Sequence, residues 1–349
     1  ANKPVRRKSS GVTIDEVAAL AGVSTMTVSR VINGKGKVRD TTRERVMRAV
    51  RELDYTPNLA ASSLAAAQHT RIALIYTNPS GAYLRELLLG LLRVASRTAV
   101  QLVVDYWDGL DAGAERDAAR ALARRVDGVI LPPPLCESRI AVTELVKAGV
   151  PVVAIASGRF SQDIGCVRID DFGAGKEMAG HLIAHGHTRI GFIRGRNDLS
   201  ASARRYDGFV TALHEAGLEV DADLIQQGDY TYRSGLKAAE KLLARRRPPT
   251  AIFASNDDMA AAAVSVAHRR GLDVPRDLSV VGFDDTSAAT TVWPELTTIH
   301  QPIASMANAA IDILLRGIRR KGENARVLVD HVVPYRLVSR ESVAPPGRR

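Results

Sequence analysis

The sequence predicts an amino-terminal all-α helix-turn-helix domain with a hinge helix, followed by a two-subdomain α/β domain built on parallel sheets. Three observations lead there. Three short amphipathic stretches with helix-start signals fill residues 13–53. Strand-like apolar runs then alternate with helical patterns from residue 71, and the rhythm restarts near 166. The charge is also uneven. Residues 1–70 carry 12 basic and 6 acidic side chains, six of the formal net charge of +10, and the other 279 residues are nearly neutral. A small basic module on a neutral body is the pattern of a nucleic-acid reader joined to something else.

The opening ANKPVRRKSS is basic with no apolar run after it, so residues 1–11 are expected to form a flexible arm rather than a signal peptide. Residues 12–56 form the helix-turn-helix domain. Thr13 and Glu16 make a capping box for a first helix whose apolar positions are Ile14, Val17, Ala18 and Ala21. Gly22 stops it. Ser24 caps a second helix, TMTVSRVIN, which Asn33 and Gly34 end. Thr41 and Glu44 read as a further capping box before a third helix with Val46, Met47, Val50 and Leu53 on its apolar face.

In this layout the second helix enters the DNA major groove with its first residues nearest the base edges. Thr25 and Met26 then sit at the tip, and Arg30 lies about one turn on. Arg30 suits two hydrogen bonds to a guanine edge; the alternative is a plain phosphate contact. Ser24, Thr27, Ser29 and the Lys35–Arg39 stretch are placed for phosphates. GKGK at 34–37 follows no strand and lacks the full Gly-rich motif, so it is no phosphate loop.

Residues 57–70 read as a hinge helix and linker. Pro57 blocks continuation of the third helix, Asn58 caps an Ala-rich turn, and Leu64 is placed as an apolar wedge for the minor groove. A plain linker is the alternative.

From residue 71 to 345 the elements repeat as β-α-β, which implies parallel sheets covered by helices. RIALIYT, QLVVDYWD, DGVILPPP and PVVAIA are the strands of a first half; CVRID, RIGFIRG, LIQQGDY, TAIFASN and LSVVGFDD follow after the restart. The late helix MANAAIDILLRGI and the strand behind it fit either half. Two such sheets leave a cleft at the carboxyl ends of their strands. Asn256 and Asp257 follow one strand there, Asp284 and Asp285 another, and Asp229 and Tyr230 a third. Arg205 is placed just after a loop, RNDLSAS. Carboxylates, an amide and an arginine beside an aromatic face suit a polyhydroxylated ligand. Helix or turn capping is the alternative for Asn256 and Asp284, and the leading reading for Asp257 and Asp285.

The enzyme reading, a sugar-binding or carbohydrate-processing enzyme, needs a catalytic pair, and the sequence offers no nucleophile elbow or dinucleotide fingerprint. No catalytic residue, metal site or cofactor is assigned. His181, His185 and His187 lack a supporting acidic ligand, and His187 reads as a local hydrogen-bonding residue. Cys136 and Cys166 have no metal spacing and read as free thiols in a reducing cytoplasm, where the chain is expected, nucleoid-associated when on DNA. No run of 18 apolar residues occurs, so no membrane partner is expected.

These pieces together resemble the lactose-repressor family of bacterial regulators from Val12 to about Pro345. The stretches that carry the likeness are TIDEVAALAGVSTMTVSRVINGKGKVRDTTRERVMRAVRELDYTPNLAASSL, GHLIAHGHTRIGFIRG, IFASNDDMAAAAVSVAHRRGLDVPRDLSVVGFDDT and PELTTIHQP. The resemblance implies a periplasmic-binding-protein-like body and a homodimer on a pseudo-palindromic operator. It implies base reading by Thr25, Met26 and Arg30, a minor-groove role for Leu64, and effector contacts from Arg205, Tyr230, Asn256 and Asp284. It also implies three chain crossings, giving one subdomain of about 71–167 plus 302–328 and another of about 168–299 plus 331–345. The tail RESVAPPGRR lacks leucine heptads, so a dimer is expected rather than a coiled-coil tetramer. The expected function is a repressor of carbohydrate-utilisation genes released by a sugar, with a purine or other corepressor-driven regulator as the alternative.

Overall fold

The computed structural model describes residues 13–32, 38–53, 55, 69–77, 80–158, 163–319 and 329–347. The chain divides into two compact units, Ala1–His69 and Thr70–Arg349. The basic arm, most of the hinge segment 57–70 with Asn58 and Leu64, and Lys35 and Lys37 lie outside the described residues.

The first unit contains α1 (Ile14–Ala21), α2 (Thr25–Ile32) and α3 (Asp40–Glu52). Both arms of the Thr13–Glu16 capping box form, at 2.7 and 3.4 Å. Gly22 ends α1 with φ +62°, a left-handed conformation that only glycine adopts without strain. The Ser24 hydroxyl accepts from the Thr27 amide at 3.3 Å. The expected Thr41–Glu44 box is not formed, because α3 begins two residues earlier. Arg39 occupies the N-cap without a side-chain bond, and Asp40 puts an acidic group in the first turn, where the helix dipole favours it. The core joins Val17, Ala18, Ala21, Val28, Val31, Val46 and Ala49, with Val50 and Leu53 packed against it. Ala49 takes the place expected of Met47, which is exposed. Counting from Val46, the one-face spacing selects 49, 50 and 53, and Met47 lies off that stripe.

The second unit starts with β1 (Thr70–Tyr76), α4 (Gly81–Ala95), β2 (Val100–Tyr106), α5 (Ala112–Ala123), β3 (Gly128–Leu131), α6 (Arg139–Lys147), β4 (Val152–Ile155) and β5 (Gly165–Arg168). Next come α7 (Asp171–Ala184), β6 (Ile190–Arg194), α8 (Ser200–Glu215), β7 (Ile225–Gln227), α9 (Tyr232–Leu243), β8 (Ala251–Ala254), α10 (Asp257–Arg269), β9 (Ser279–Val281) and α11 (Ser287–Thr291). The last elements are β10 (Thr298–His300), α12 (Ile303–Arg319), β11 (Asp330–Val332) and β12 (Arg336–Val338). The six-stranded sheet runs β11-β5-β4-β3-β1-β2, with every pairing parallel. The four-stranded sheet runs β7-β6-β8-β9, also parallel. β10 pairs antiparallel with β12 and reaches the β9 side through bridges from Val281 to Thr297 and from Asp284 to His300.

α12 packs on the first sheet and on α4. A Cβ at Gly90 of α4 would stand 2.9 Å from Ala307 of α12, so the glycine permits that close approach. β11 corrects the sequence reading, which put residues 331–345 in the second half. Asp330–Val332 pairs with β5, so the chain crosses only after Val332. Arg168 and Asp330 fix the pair with two hydrogen bonds of 2.8 and 2.7 Å, a contact 162 residues apart that no local pattern encodes. The loop expected at RNDLSAS gives way to helix at Ser200, so Arg205 lies on α8 and not just behind a loop. Its first turn is capped from the other half: the Glu137 carboxylate accepts from the Ser200 amide at 3.0 Å and from its hydroxyl. No described helix is long and apolar enough to cross a membrane.

Candidate functional site

On α2 the buried Val28 and Val31 turn the opposite face outward. Ser24, Thr25, Met26 and Arg30 are exposed, and Thr27 and Ser29 are half-buried. Met26 is 63% exposed, which is unusual for so apolar a side chain and gives the helix tip an apolar contact. Ser24 and Thr27 share a 2.9 Å hydroxyl contact, so both first serve the start of the helix.

In the second unit a cavity of about 440 Å3, open to solvent, lies where the strands of the two sheets end. The second half contributes Arg205, Tyr230, Asn256 and Asp284 to its wall, so the four side chains singled out in the sequence line one space. The first half contributes Ser80, Tyr83, Pro133 and Ala156, and Gln301 lines the cavity just before α12.

Arg205 is the electrostatic centre. Its Nε donates to Asp171 Oδ1 at 2.8 Å, and its Nη1 donates to the Ser255 carbonyl at 2.7 Å and lies 3.8 Å from Asp284 Oδ1. The guanidinium carbon sits 3.7 Å from the centre of the Phe283 ring. Burial alone would lower the Arg205 pKa, but the charges of Asp171 and Asp284 outweigh it and hold the group cationic. Burial raises Asp171 above the ordinary carboxylate range, against the pull of Arg205. Burial likewise pushes Asp284 up to about 7, with Arg205 and a 2.7 Å bond from Gln301 Nε2 acting the other way.

The helices that bring Arg205 and Asp171 together touch through glycine. A Cβ at Gly175 of α7 would overlap the Arg205 carbonyl, and one at Gly208 of α8 would overlap the Phe172 carbonyl and come 2.7 Å from the Lys176 amide. Tyr230 is held in a similar way. Its ring lies on Gly195, where any Cβ would collide with it, and its carbonyl accepts from Asn256 Nδ2 at 3.0 Å. Asn256 Oδ1 caps α10 by accepting from the Met259 amide at 3.0 Å. The capping alternative for Asn256 and its place in the cavity wall therefore hold together. Ala156, Tyr230 and Asp284 have φ of +56°, +72° and +110°, so three of the four non-glycine residues with positive φ among the described residues line this cavity. Such strain collects where the fold aims groups at a ligand.

Other candidates point elsewhere. The Asp257 carboxylate accepts from the Thr286 amide at 2.7 Å and the Thr298 hydroxyl at 2.6 Å. Asp285 pairs with His300 at 2.9 Å and Arg340 at 2.5 Å, and Asp229 caps its own turn through Thr231. His187 is buried and bonds to Thr250, Ser279 and the Ala344 carbonyl, tying β8, β9 and the tail rather than a metal. Burial lowers its pKa. Among the described residues no cluster of His, Cys, Asp and Glu could hold a metal ion. Cys136 and Cys166 are buried free thiols, with burial raising both and taking Cys166 to about 12.

Sequence reasoning missed Asp171, Ser80, Tyr83, Glu137 and Gln301. Ser80 Oγ donates to Asp258 Oδ2 at 2.7 Å across the cleft. Tyr83 Oη and Gln301 Oε1 are buried without a hydrogen-bond partner among the described residues. One signal was available: Ser80 and Tyr83 follow the first apolar strand, at the same carboxyl edge used to choose the second-half residues.

Comparison with known proteins places these features. Residues 13–58 match the family described as bacterial regulatory proteins, lacI family, and residues 179–343 match the periplasmic binding protein-like domain. The HTH-type transcriptional regulator DegA of Bacillus subtilis is 37% identical over 336 residues, covering 95% of this chain and 98% of that protein. Catabolite control protein A of Priestia megaterium is 35% identical, covering 95% and 99%. The HTH-type transcriptional repressor PurR of Pectobacterium atrosepticum is 36% identical, covering 95% and 97%. Among solved structures, a complex of the transcriptional regulator CelR with cellobiose superposes with a TM-score of 0.71 at 34% identity, over 95% of this chain and 99% of that one. The lac repressor dimer bound to operator and the anti-inducer ONPF also gives 0.71, at 28% identity over 96% and 99%.

Proposed function

The chain belongs to the lacI family of bacterial regulatory proteins, which are ligand-responsive transcriptional regulators, and on that premise we propose that it represses carbohydrate-utilisation genes until a sugar releases it from a pseudo-palindromic operator. It is a regulator and not an enzyme, as are the relatives that match 95% of its length.

The observation that carries the sugar reading is the wall of the cavity. Arg205, Asp284, Asn256 and Gln301 converge there beside the Tyr230 ring. Sugar hydroxyls need donors and acceptors side by side, and the apolar face of a sugar ring packs on an aromatic plane. The CelR complex, similar along nearly the whole chain, holds cellobiose. Two copies of the protein would place two α2 helices in successive major grooves, as a two-fold operator requires. The ligand acts by binding one arrangement of the two halves better than the other. A second reading, a purine-type corepressor that tightens DNA binding, draws on Tyr83 and Tyr230, two rings that could face a planar heterocycle.

The test is operator binding by fluorescence anisotropy at fixed salt, with mono- and disaccharides and then purines added. A sugar that weakens binding supports the proposal; a purine that strengthens it supports the second reading. In the same assay Asp284→Asn weakens the response to the active sugar roughly 10- to 150-fold, because a hydrogen bond to a charged group contributes about 1.5–3 kcal/mol. An unchanged dose response would remove Asp284 from the effector site.

Arg30→Ala tests the DNA face. It is expected to reduce the preference for operator over random DNA by about 1–3 kcal/mol. Equal weakening on both DNAs would make Arg30 a phosphate contact.

A further inference from the structure

We infer that the cleft selects an uncharged ligand whose hydroxyl or similar groups bond to Tyr83 Oη and Gln301 Oε1, and that it excludes phosphorylated and carboxylated forms of the same ligand. The inference rests on reading the cleft as a small-molecule site and goes further by fixing the charge of its occupant.

The charge balance of the wall supplies the first argument. Among the described residues, Arg205 and Asp284 are the two ionisable groups of opposite sign that line the cavity. Arg205 is committed to Asp171 and to the Ser255 carbonyl, with Asp284 3.8 Å away. One buried guanidinium therefore faces two buried carboxyls. Among these described lining residues an entering phosphate finds no unpaired cation, and above pH 7, where Asp284 is ionised, it meets a negative charge that little water screens.

Helix ends supply the second argument. The amino end of a helix is a ready anion site when its amides are free. Three of the long helices that open on the cleft, α4, α8 and α10, are already capped. Ser80 caps α4 by accepting from the Tyr83 amide at 3.3 Å. Glu137 reaches across to cap α8 with a carboxylate. Asn256 caps α10, and acidic Asp257 and Asp258 fill its first turn.

The third argument is what remains unsatisfied. Tyr83 Oη and Gln301 Oε1 are buried, line the cavity and lack a partner among the described residues. Burial and the nearby Asp284 charge hold the Tyr83 phenol protonated, so it offers a donor. Gln301 has given its amide to Asp284 and offers an acceptor. A ligand hydroxyl satisfies either group, whereas a phosphate or carboxylate oxygen only accepts and leaves Gln301 unpaired.

The experiment is calorimetric titration of the full chain at pH 8 with matched pairs: glucose and glucose 6-phosphate, cellobiose and cellobionate, ribose and ribose 5-phosphate, inosine and inosine 5′-monophosphate. The neutral member of the binding pair is expected to bind at least 100-fold more tightly than its anionic partner. In Asp284→Asn that ratio is expected to narrow at least fivefold, because the neutral ligand loses an acceptor and the anion loses a repulsion. An anionic member that binds as well as its neutral partner, or a ratio that Asp284→Asn leaves unchanged, overturns the selectivity. Binding by neither member of any pair overturns instead the small-molecule reading beneath it, so the two failures are told apart.

Discussion

Replacing Arg205 with Met is expected to lower the stability of the second unit by about 3–5 kcal/mol, the usual cost of removing one partner from a buried ion pair. Methionine fills much of the same volume, so the loss is electrostatic more than steric. Asp171 would keep a buried carboxyl without its 2.8 Å donor, and Asp284 would lose its nearest cation. The Ser255 carbonyl would lose a donor as well. Urea unfolding followed through Trp107, which is buried, measures the cost as a fall in midpoint. The cost also has a pH sign. Burial raises both carboxyls in the folded state, so the native chain holds protons that the unfolded chain has released. Stability therefore declines as pH climbs from the unfolded carboxylate range near 4 through the raised folded values. Without Arg205 that decline steepens, and the variant is expected to lose more at pH 8 than at pH 5. A loss below about 1 kcal/mol at pH 8 would show that the carboxyls do not depend on the arginine.

Gly208→Ala is expected to destabilise the same unit by about 1–3 kcal/mol, within the range for overpacking a tight contact. In an open helix the same change would stabilise by up to about 1 kcal/mol, because alanine is the better helix former. The sign is reversed here because the added methyl would meet the backbone of α7 at Phe172 and Lys176. Backbone yields less easily than a side chain, so α7 and α8 must separate, and they carry Asp171 and Arg205. Ligand response should therefore weaken together with stability. Gly180→Ala on α7 is the control: nothing lies within 4 Å of the added carbon, so it should be neutral or stabilising. If both variants moved stability in the same direction, the crossing would not depend on the glycine.

The local grammar of the chain was readable. The Thr13–Glu16 box, the stop at Gly22 and the nine main parallel strands follow from spacing and turn chemistry. So did three of the second-half cavity residues, Tyr230, Asn256 and Asp284, because side chains just past the carboxyl ends of parallel strands face the crevice. The errors were mostly local competitions decided by a neighbour. Thr41 lost the cap because Asp40 could join the helix, and Met47 lost the core to Ala49.

The sequence by itself determined the two-unit division, the order of strands and helices, the exposed face of α2 and the chemical character of the cleft. Only the tertiary structure decided which carboxyls face the cavity: Asp284 turns in, while Asp257 and Asp285 are taken by Thr298 and Arg340. It also decided that Asp171 supports Arg205, that Glu137 starts α8 from the other half, and that Asp330–Val332 returns to the first sheet. The physical reason is range. Caps and amphipathic faces are set by residues three or four apart, so periodicity records them. These contacts join residues tens to more than a hundred positions apart, and their partners meet only after both halves have packed.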